Sequence, residues 1–188
     1  METREKKNVM DGADVKRALD RIAHEILEKN RGAANLVLIG MQRRGVVLAK
    51  RLAASIGKVE GNEPPVGSLD ATFYRDDYRS PLKQPAIRST DIPFSIQDKI
   101  VVLVDDVLFT GRTIRAALDA LFDMGRPKAI RLAVLVDRGG RELPIAADFV
   151  ALSLKTASNE EVAVRVQEID EKEGVALVEI VGAIHELP

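Results

Sequence analysis

The chemistry-bearing residues of this chain are most concentrated in the run Asp105-Asp106-Val107-Leu108-Phe109-Thr110-Gly111-Arg112-Thr113. Two adjacent carboxylates follow five consecutive aliphatics, residues 100–104, and a short Thr/Gly turn then feeds a helical pattern from about Arg112. Successive side chains on a strand point to opposite faces, so neighbouring acids at the end of a buried strand are costly unless the chain turns and both meet a polar ligand. The turn behind them delivers a helix N-terminus, whose unpaired N–H groups and positive dipole end favour a phosphate. An acid pair beside a phosphate cradle suits a phosphorylated polyol. Read alone, the two aspartates could equally serve as helix caps; the whole run behind an aliphatic strand is what points to a site. A Walker-type loop needs Lys after its last glycine, and here Gly111 is followed by Arg112-Thr113, which argues against a nucleotide kinase.

The elements that must position these residues follow from the apolar spacing. Val15, Leu19, Ile22 and Ile26 recur at helical intervals, with Asp14 as the expected N-cap and Gly32 as the expected stop. Residues 36–39 form a short apolar run ending in Gly40, and residues 46–56 return to helical spacing before Gly57, which predicts strand, turn, helix. Alternation over residues 69–74 predicts a strand, followed by a long polar stretch, 75–98, with Pro81, Pro85 and Pro93. A loop of that length is usually functional or disordered. Residues 100–104 and 130–136 predict buried strands on either side of a helix striped with Ile114, Leu118, Leu121 and Phe122. Alternating strands and helices imply a parallel sheet with ligands at the carboxyl ends of its strands, after Ile39, Val104 and Val136. Val162, Val164 and Val166, then residues 175–181, predict an antiparallel hairpin appended to that sheet.

Composition sets the outer limits. With 188 residues, 46% of them hydrophobic, one sizeable core and a single domain over 1–188 are expected. Lys plus Arg is 28 against 29 for Asp plus Glu, a net charge of -1, so no global field selects nucleic acid or an anionic membrane. Polyanion binding must come from a local patch. The absence of Cys and the presence of only two His, His24 and His185, exclude disulfides, thiol nucleophiles and Cys/His zinc sites. A metal must be a hard ion held by oxygens. The start is charged and the apolar runs fall far short of the ~18 residues of a membrane span, so a cytoplasmic protein without membrane contact is expected.

The run 105–113 is similar to the signature of type I phosphoribosyltransferases. Further segments resemble the PyrR family, pyrimidine operon attenuation proteins that are also uracil phosphoribosyltransferases: Arg17-Ala18-Leu19, Arg21-Ile22-Ala23-His24-Glu25, residues 45–52, Tyr74-Arg75-Asp76-Asp77, Gly125-Arg126-Pro127 and residues 132–144. The likeness spans about residues 10–181. It implies an α/β type I phosphoribosyltransferase fold: a mostly parallel central sheet flanked by helices, a flexible lid loop (75–98) and a C-terminal hood with a β-hairpin (138–188). It also implies conversion of uracil and phosphoribosyl pyrophosphate (PRPP) to UMP and pyrophosphate, with Mg²⁺ held mainly through PRPP. A homodimer or homotetramer and binding to an mRNA leader belong to the same expectation.

By that resemblance Asp105 and Asp106 are the catalytic pair on the ribose hydroxyls, and Val107, Leu108, Phe109, Thr110, Gly111, Arg112 and Thr113 hold the 5-phosphate. Arg43 and Arg44 face the pyrophosphate, Arg88 reaches the substrate from the lid, and Arg138 and Val162 lie at the base. Arg17, Arg21 and His24 form the RNA face. The chain departs from the family at Phe109, usually Tyr; at Gly140, usually His; and at Ala146, usually Arg. Ala151-Leu152-Ser153-Leu154-Lys155-Thr156-Ala157 replaces a segment that carries a further lysine and a proline near the base, while Asp20, Leu152 and Ser158 dilute the RNA face. Two alternatives stay open: a nucleotide- or PRPP-sensing RNA-binding regulator with little catalysis, and a phosphoribosyltransferase for another base, such as a purine or orotate.

Overall fold

The aliphatic runs become the centre of the computed structural model, which describes residues 2–74 and 90–181. In chain order the elements are β1 (Glu2–Met10), α1 (Gly12–Asn30), β2 (Leu36–Met41), α2 (Arg44–Glu60), β3 (Val66–Leu69), β4 (Ile100–Leu108), α3 (Arg112–Met124), β5 (Ala129–Asp137), β6 (Phe149–Ser153), β7 (Glu160–Arg165), α4 (Gln167–Asp170) and β8 (Gly174–Val181). Five parallel strands form the main sheet in the order β3-β2-β4-β5-β6. Both faces are covered, and the period-2 alternation divides the core. Leu36, Leu38, Val102, Val104, Ala133 and Leu135 pack with α1 and α2, while Val37, Ile39, Val101, Leu103, Leu132 and Val134 pack with α3.

Several boundaries differ from the sequence expectation, each for a local reason. Asp11, not Asp14, caps α1: its Oδ1 accepts the Asp14 N–H at 2.8 Å, and Asp14 Oδ2 returns a bond from the Asp11 N–H at 3.1 Å, a reciprocal capping box. Helix α2 runs through Gly57 and stops at Gly61, whose left-handed φ of 78° and N–H bond to the Gly57 carbonyl at 2.9 Å close the last turn. The strand expected over 69–74 lies earlier, at β3. There Asp70 Oδ1 accepts both the N–H and the hydroxyl of Thr72, which bends residues 72–74 into a 3-10 turn. Residues 90–98, expected within the lid, are tied down by Asp91 pairing with Ser68 and by Ile96 buried under α3. The rest of the expected lid, 75–89 with Arg88, lies outside the described residues.

The C-terminal hairpin is present, but it does not extend the main sheet. β7 and β8 pair antiparallel, and β1 joins the other edge of β8 to give a separate three-stranded sheet, β1-β8-β7. The hood is therefore β1 plus residues 160–181, and β6, expected within it, belongs to the main sheet. Nothing in the sequence pattern announced β1. Residues 3–8 are polar and exposed, as suits an edge strand held by backbone pairing, and Met10 alone is buried.

Ion pairs fasten this hood to α2. Arg51 donates to both oxygens of Glu168 at 3.0 and 2.6 Å and to both oxygens of Glu173 at 2.6 and 2.9 Å. The Arg51 hydrogen bond holds the carboxyl of Glu173 below its ordinary 4.5, and that of Glu168 likewise, while Arg44 does the same to Asp170, whose ordinary value is 3.8. A carboxylate with a depressed folded pKa contributes its stability in full above the unfolded value and loses it as the pH falls through the folded one. Hood docking should therefore hold at neutral pH and weaken below about pH 4. Arg51→Leu, which leaves two carboxylates facing one another, is expected to cost about 1–3 kcal/mol, or roughly 2–4 °C in Tm per kcal/mol at this chain length. Thermal melts at pH 7 and pH 3.5 test both points; an unchanged melt of the variant at pH 7 would remove the clamp from the fold's stability.

Candidate functional site

The acid pair stands at the carboxyl end of β4, in the middle of the sheet, where its neighbours β2 and β5 also end. The strand continues to Leu108, beyond the expected end at Val104. Val104 and Val107, three residues apart, both pack with the α1/α2 cluster, so strict alternation is broken across Asp105-Asp106. Asp105 is buried, and its Oδ1 accepts the Asp106 N–H at 2.9 Å; Asp106 is half-buried, and its Oδ1 accepts the Val107 N–H at 2.9 Å. Each carboxylate is thus oriented by the next peptide, with an oxygen left over for a ligand in the case of Asp106.

The loop after β4 is shaped by the segment after β5. The Leu108 carbonyl accepts the Arg138 N–H at 2.9 Å, the Phe109 carbonyl accepts Arg141 Nη1 at 2.7 Å, and the Thr110 carbonyl accepts the Glu142 and Leu143 N–H groups at 3.0 and 3.2 Å. In a trans peptide the N–H points opposite to the carbonyl, so tying three carbonyls to one side turns the following amides to the other. Gly111, with φ 93°, is the N-cap of α3 and offers no side-chain acceptor, which leaves that turn suited to an external anion. Arg141 is the staple: it also pairs with Asp137 at 2.6 Å and donates to the Ile145 carbonyl at 2.9 Å. Burial pushes the Asp137 carboxyl up, but the hydrogen bonds from Arg141 and Gly139 outweigh it and keep Asp137 below its ordinary value, hence ionised at neutral pH.

The arginine turn between β2 and α2 is brought to the acids by two glycines. A Cβ on Gly40 would fall 2.4 Å from Val46 Cα, and one on Gly45 would fall 2.4 Å from the Val104 carbonyl oxygen and 3.3 Å from Asp105 Cα. No side chain fits at either position, so the first turn of α2 rests directly on β4 beside the acid pair. The Gln42–Arg43 peptide is cis. Arg43 is exposed at the N-cap of α2, while Arg44 is half-buried and donates to Asp170 through Nε at 2.9 Å and Nη2 at 2.6 Å. The Asp170 hydrogen bond raises the Arg44 pKa above its ordinary value, and the charge of Asp106 adds to the effect.

A cleft of about 510 Å³ between the hood and the end of β4 is lined by Arg44, Asp106, Val162, Arg165, Asp170 and Lys172. It brings together three residues singled out from the sequence, Arg44, Asp106 and Val162. Val162 lines the cleft and also packs against the α1/α2 core. Arg138 sits beyond Phe109, with its Nε bonded to the Thr156 hydroxyl at 2.8 Å and its Nη2 to the Glu160 carbonyl at 2.7 Å. Arg17, Arg21 and His24 lie apart, all exposed on α1. Arg17 pairs with Asp14, Arg21 with Glu25 at 2.5 Å and with the Val150 and Ala151 carbonyls, and His24 Nδ1–H donates to the Asp20 carbonyl at 2.7 Å. The Asp20 carboxylate, expected on that stripe, is drawn aside to accept the Ser55 hydroxyl of α2 at 2.8 Å.

Among the described residues no three acidic or histidine side chains gather into a metal cage. The donors that do stand at the site, Asp105 and Asp106, suit a hard divalent ion that takes most of its oxygens from a phosphorylated ligand and water, the habit of Mg²⁺. Sequence reasoning missed Asp137, Arg141, Thr156, Glu160 and Asp170. The run Asp137-Arg138-Gly139-Gly140-Arg141 behind a buried strand was the one signal available for the first two.

Comparison with known proteins agrees with this geometry. Residues 5–169 match the phosphoribosyl transferase domain family. The protein named Bifunctional protein PyrR of Pelotomaculum thermopropionicum is 59% identical over 176 residues, covering 94% of this chain and 97% of the relative. That of Deinococcus radiodurans is 54% identical over 178 residues, covering 95% and 96%. A solved hypoxanthine phosphoribosyltransferase from Staphylococcus aureus superposes with a TM-score of 0.70 at 16% identity, over 93% of this chain and 92% of the other, a likeness of fold. With acid pair, glycine-seated arginine turn and anion loop in one place, the chain belongs to the phosphoribosyltransferases and, among them, to the PyrR family.

Proposed function

We propose that this protein transfers the phosphoribosyl group of PRPP to a ring nitrogen of uracil, giving UMP and pyrophosphate. The observation that carries the reading is the seating of the Arg43–Arg44 turn on β4 through Gly45, which sets cations for a leaving pyrophosphate beside carboxylates for a ribose. In the reaction the bond from the anomeric carbon to the pyrophosphate oxygen breaks, the bond to the base nitrogen forms, and that nitrogen gives up its proton. Charge builds positive on the sugar and negative on the leaving group, so fixed charges rather than a strong base lower the barrier. Asp105 and Asp106 bind the hydroxyls, the 107–113 loop holds the 5-phosphate through its amides, and Arg44 meets the pyrophosphate from the cleft wall. Bound Mg²⁺ would supply further neutralisation of the pyrophosphate, held by the acid pair and by the ligand's own oxygens. Arg138 faces the base end. The same reading places the protein in the cytoplasm as a homodimer or homotetramer; among the described residues no helix is long and apolar enough to cross a membrane.

Charge-assisted hydrogen bonds are worth about 1.5–3 kcal/mol. Asp105→Asn and Asp106→Asn should therefore each lower kcat by roughly tenfold to a hundredfold. Pyrophosphate release with Mg²⁺, PRPP and uracil, hypoxanthine or orotate in parallel tests the reading. Turnover with uracil supports it, turnover with another base alone would contradict it, and near-full activity of both variants would remove the ribose clamp.

The resemblance carries a second reading, binding of an mRNA leader, and the exposed Arg17, Arg21 and His24 on one face of α1 support it. Each cation on a phosphate adds about 0.7–0.9 to the slope of log affinity against log salt. The double variant Arg17→Ala, Arg21→Ala should flatten that slope by about 1.4–1.8 for a structured leader RNA. An unchanged slope would take α1 out of the RNA face.

A further inference from the structure

Phe109 and Gly140 fit one another at the base end of the site. The phenyl ring, 40% exposed, lies where a Cβ on Gly140 would stand 2.4 Å from its Cε2 and 3.0 Å from its Cδ2, and Gly140 holds a left-handed φ of 66°. Over the same ring lies the Arg138 guanidinium, 3.9 Å from the centroid. That guanidinium is fixed from the side by the Thr156 hydroxyl and the Glu160 carbonyl, and Glu160 is itself pinned by Lys6 Nζ at 2.7 Å and the Ala157 N–H at 2.8 Å. Among the described residues Arg138 pairs with no carboxylate, and its Nη1 donates to no protein acceptor. It is a charged, two-point-anchored donor aimed past an aromatic face.

We propose that Phe109 and Gly140 form a matched pair that sets the position of Arg138 against the incoming base, and so governs how tightly the base is held. The ring supplies a flat seat for the guanidinium, and the glycine leaves the space the ring needs. The ligand chemistry this selects is a planar heterocycle with a carbonyl oxygen beside a ring N–H, the carbonyl accepting from Nη1. Phe109 acts through Arg138 and is a positioning residue. The inference rests on the uracil phosphoribosyltransferase reading and deepens it.

Two neighbouring glycines separate ring displacement from backbone strain. Gly139 has a comparable φ of 76°, but a Cβ there would meet nothing within 4 Å. Steady-state kinetics should show Gly140→Ala raising the KM for uracil about tenfold, within the range of a lost cation–π contact, while the KM for PRPP moves less than about twofold. Gly139→Ala should raise the uracil KM less than about threefold. In a Phe109→Ala background, Gly140→Ala should add less than about twofold, because the ring it displaces is gone. Phe109→Leu, which removes the aromatic face and adds no strain, should by itself raise the uracil KM about tenfold and keeps the test open if Gly140→Ala loses its far-UV circular dichroism. Equal effects of the two glycine variants, independent effects of Phe109 and Gly140, or a loss confined to kcat or to the PRPP KM would overturn the pair while leaving uracil transfer standing. A wild-type protein that turns over no uracil would overturn both.

Discussion

Where the first turn of α2 rests on β4, two backbones touch with no side chain between them, because Gly45 stands against the Val104 carbonyl and Gly40 against Val46. The position of the site's cations relative to its carboxylates follows from that contact. Any Cβ at Gly45 would push the arginine turn away from Asp105, and the cleft would open at its most charged point. The close approach is paid for by nothing local; it is imposed by the sheet, since β2 and β4 are parallel neighbours whose ends must be level for the turn to land where it does. Burial of Val37, Ile39, Val101 and Leu103 on one face and of Leu36, Leu38, Val102 and Val104 on the other fixes that register, because a one-residue slip would exchange the faces.

The hood is tied to the same helix that carries the arginine turn. Arg44 reaches Asp170 at one end of the contact, and Arg51, two turns on, reaches Glu168 and Glu173. α4 is only four residues long, so these carboxylates are held by ion pairs and by the Val166 and Gln167 amides rather than by a helix of their own. The consequence for the candidate site is that Arg44 is positioned by an acid of the hood. In the proposed reaction, fold stability and pyrophosphate binding share that one guanidinium.

The parts of this structure that could be read from the sequence are those where burial dictates composition. Residues 100–104 are aliphatic because both faces of β4 are covered, and the helical stripe of Ile114, Leu118 and Leu121 follows from the same cause, whereas Phe122, expected on that stripe, is exposed. The polar edge strand β1 was not readable, since its pairing with β8 is made by backbone groups that any residue possesses. Glycines were ambiguous as punctuation: Gly57 lies inside α2 and Gly61 ends it, a distinction settled by the left-handed φ of Gly61. In the site, Asp105, Asp106 and the arginine turn were legible because they are contiguous with strand ends. Asp170 was not, because its link to Arg44 spans 126 positions of sequence and depends on how the hood docks.

Charge pairing separates the arginines around the site by task. Arg44 is paired with Asp170, Arg112 with Glu142 and Arg141 with Asp137, so each arrives pre-neutralised and serves first to hold a loop or the hood in place. Arg138 differs, in that its described partners are a hydroxyl, a carbonyl and an aromatic face, none of which cancels its charge. A guanidinium left uncompensated in a half-buried position is unfavourable unless a ligand accepts from it. Uracil, the base of the proposed reaction, is neutral, and its carbonyl can meet that need without the competition a carboxylate partner would introduce. The near-balanced charge of the whole chain, 28 cations against 29 anions, therefore conceals a local arrangement in which Arg138 keeps its positive charge while Arg44, Arg112 and Arg141 have theirs paired.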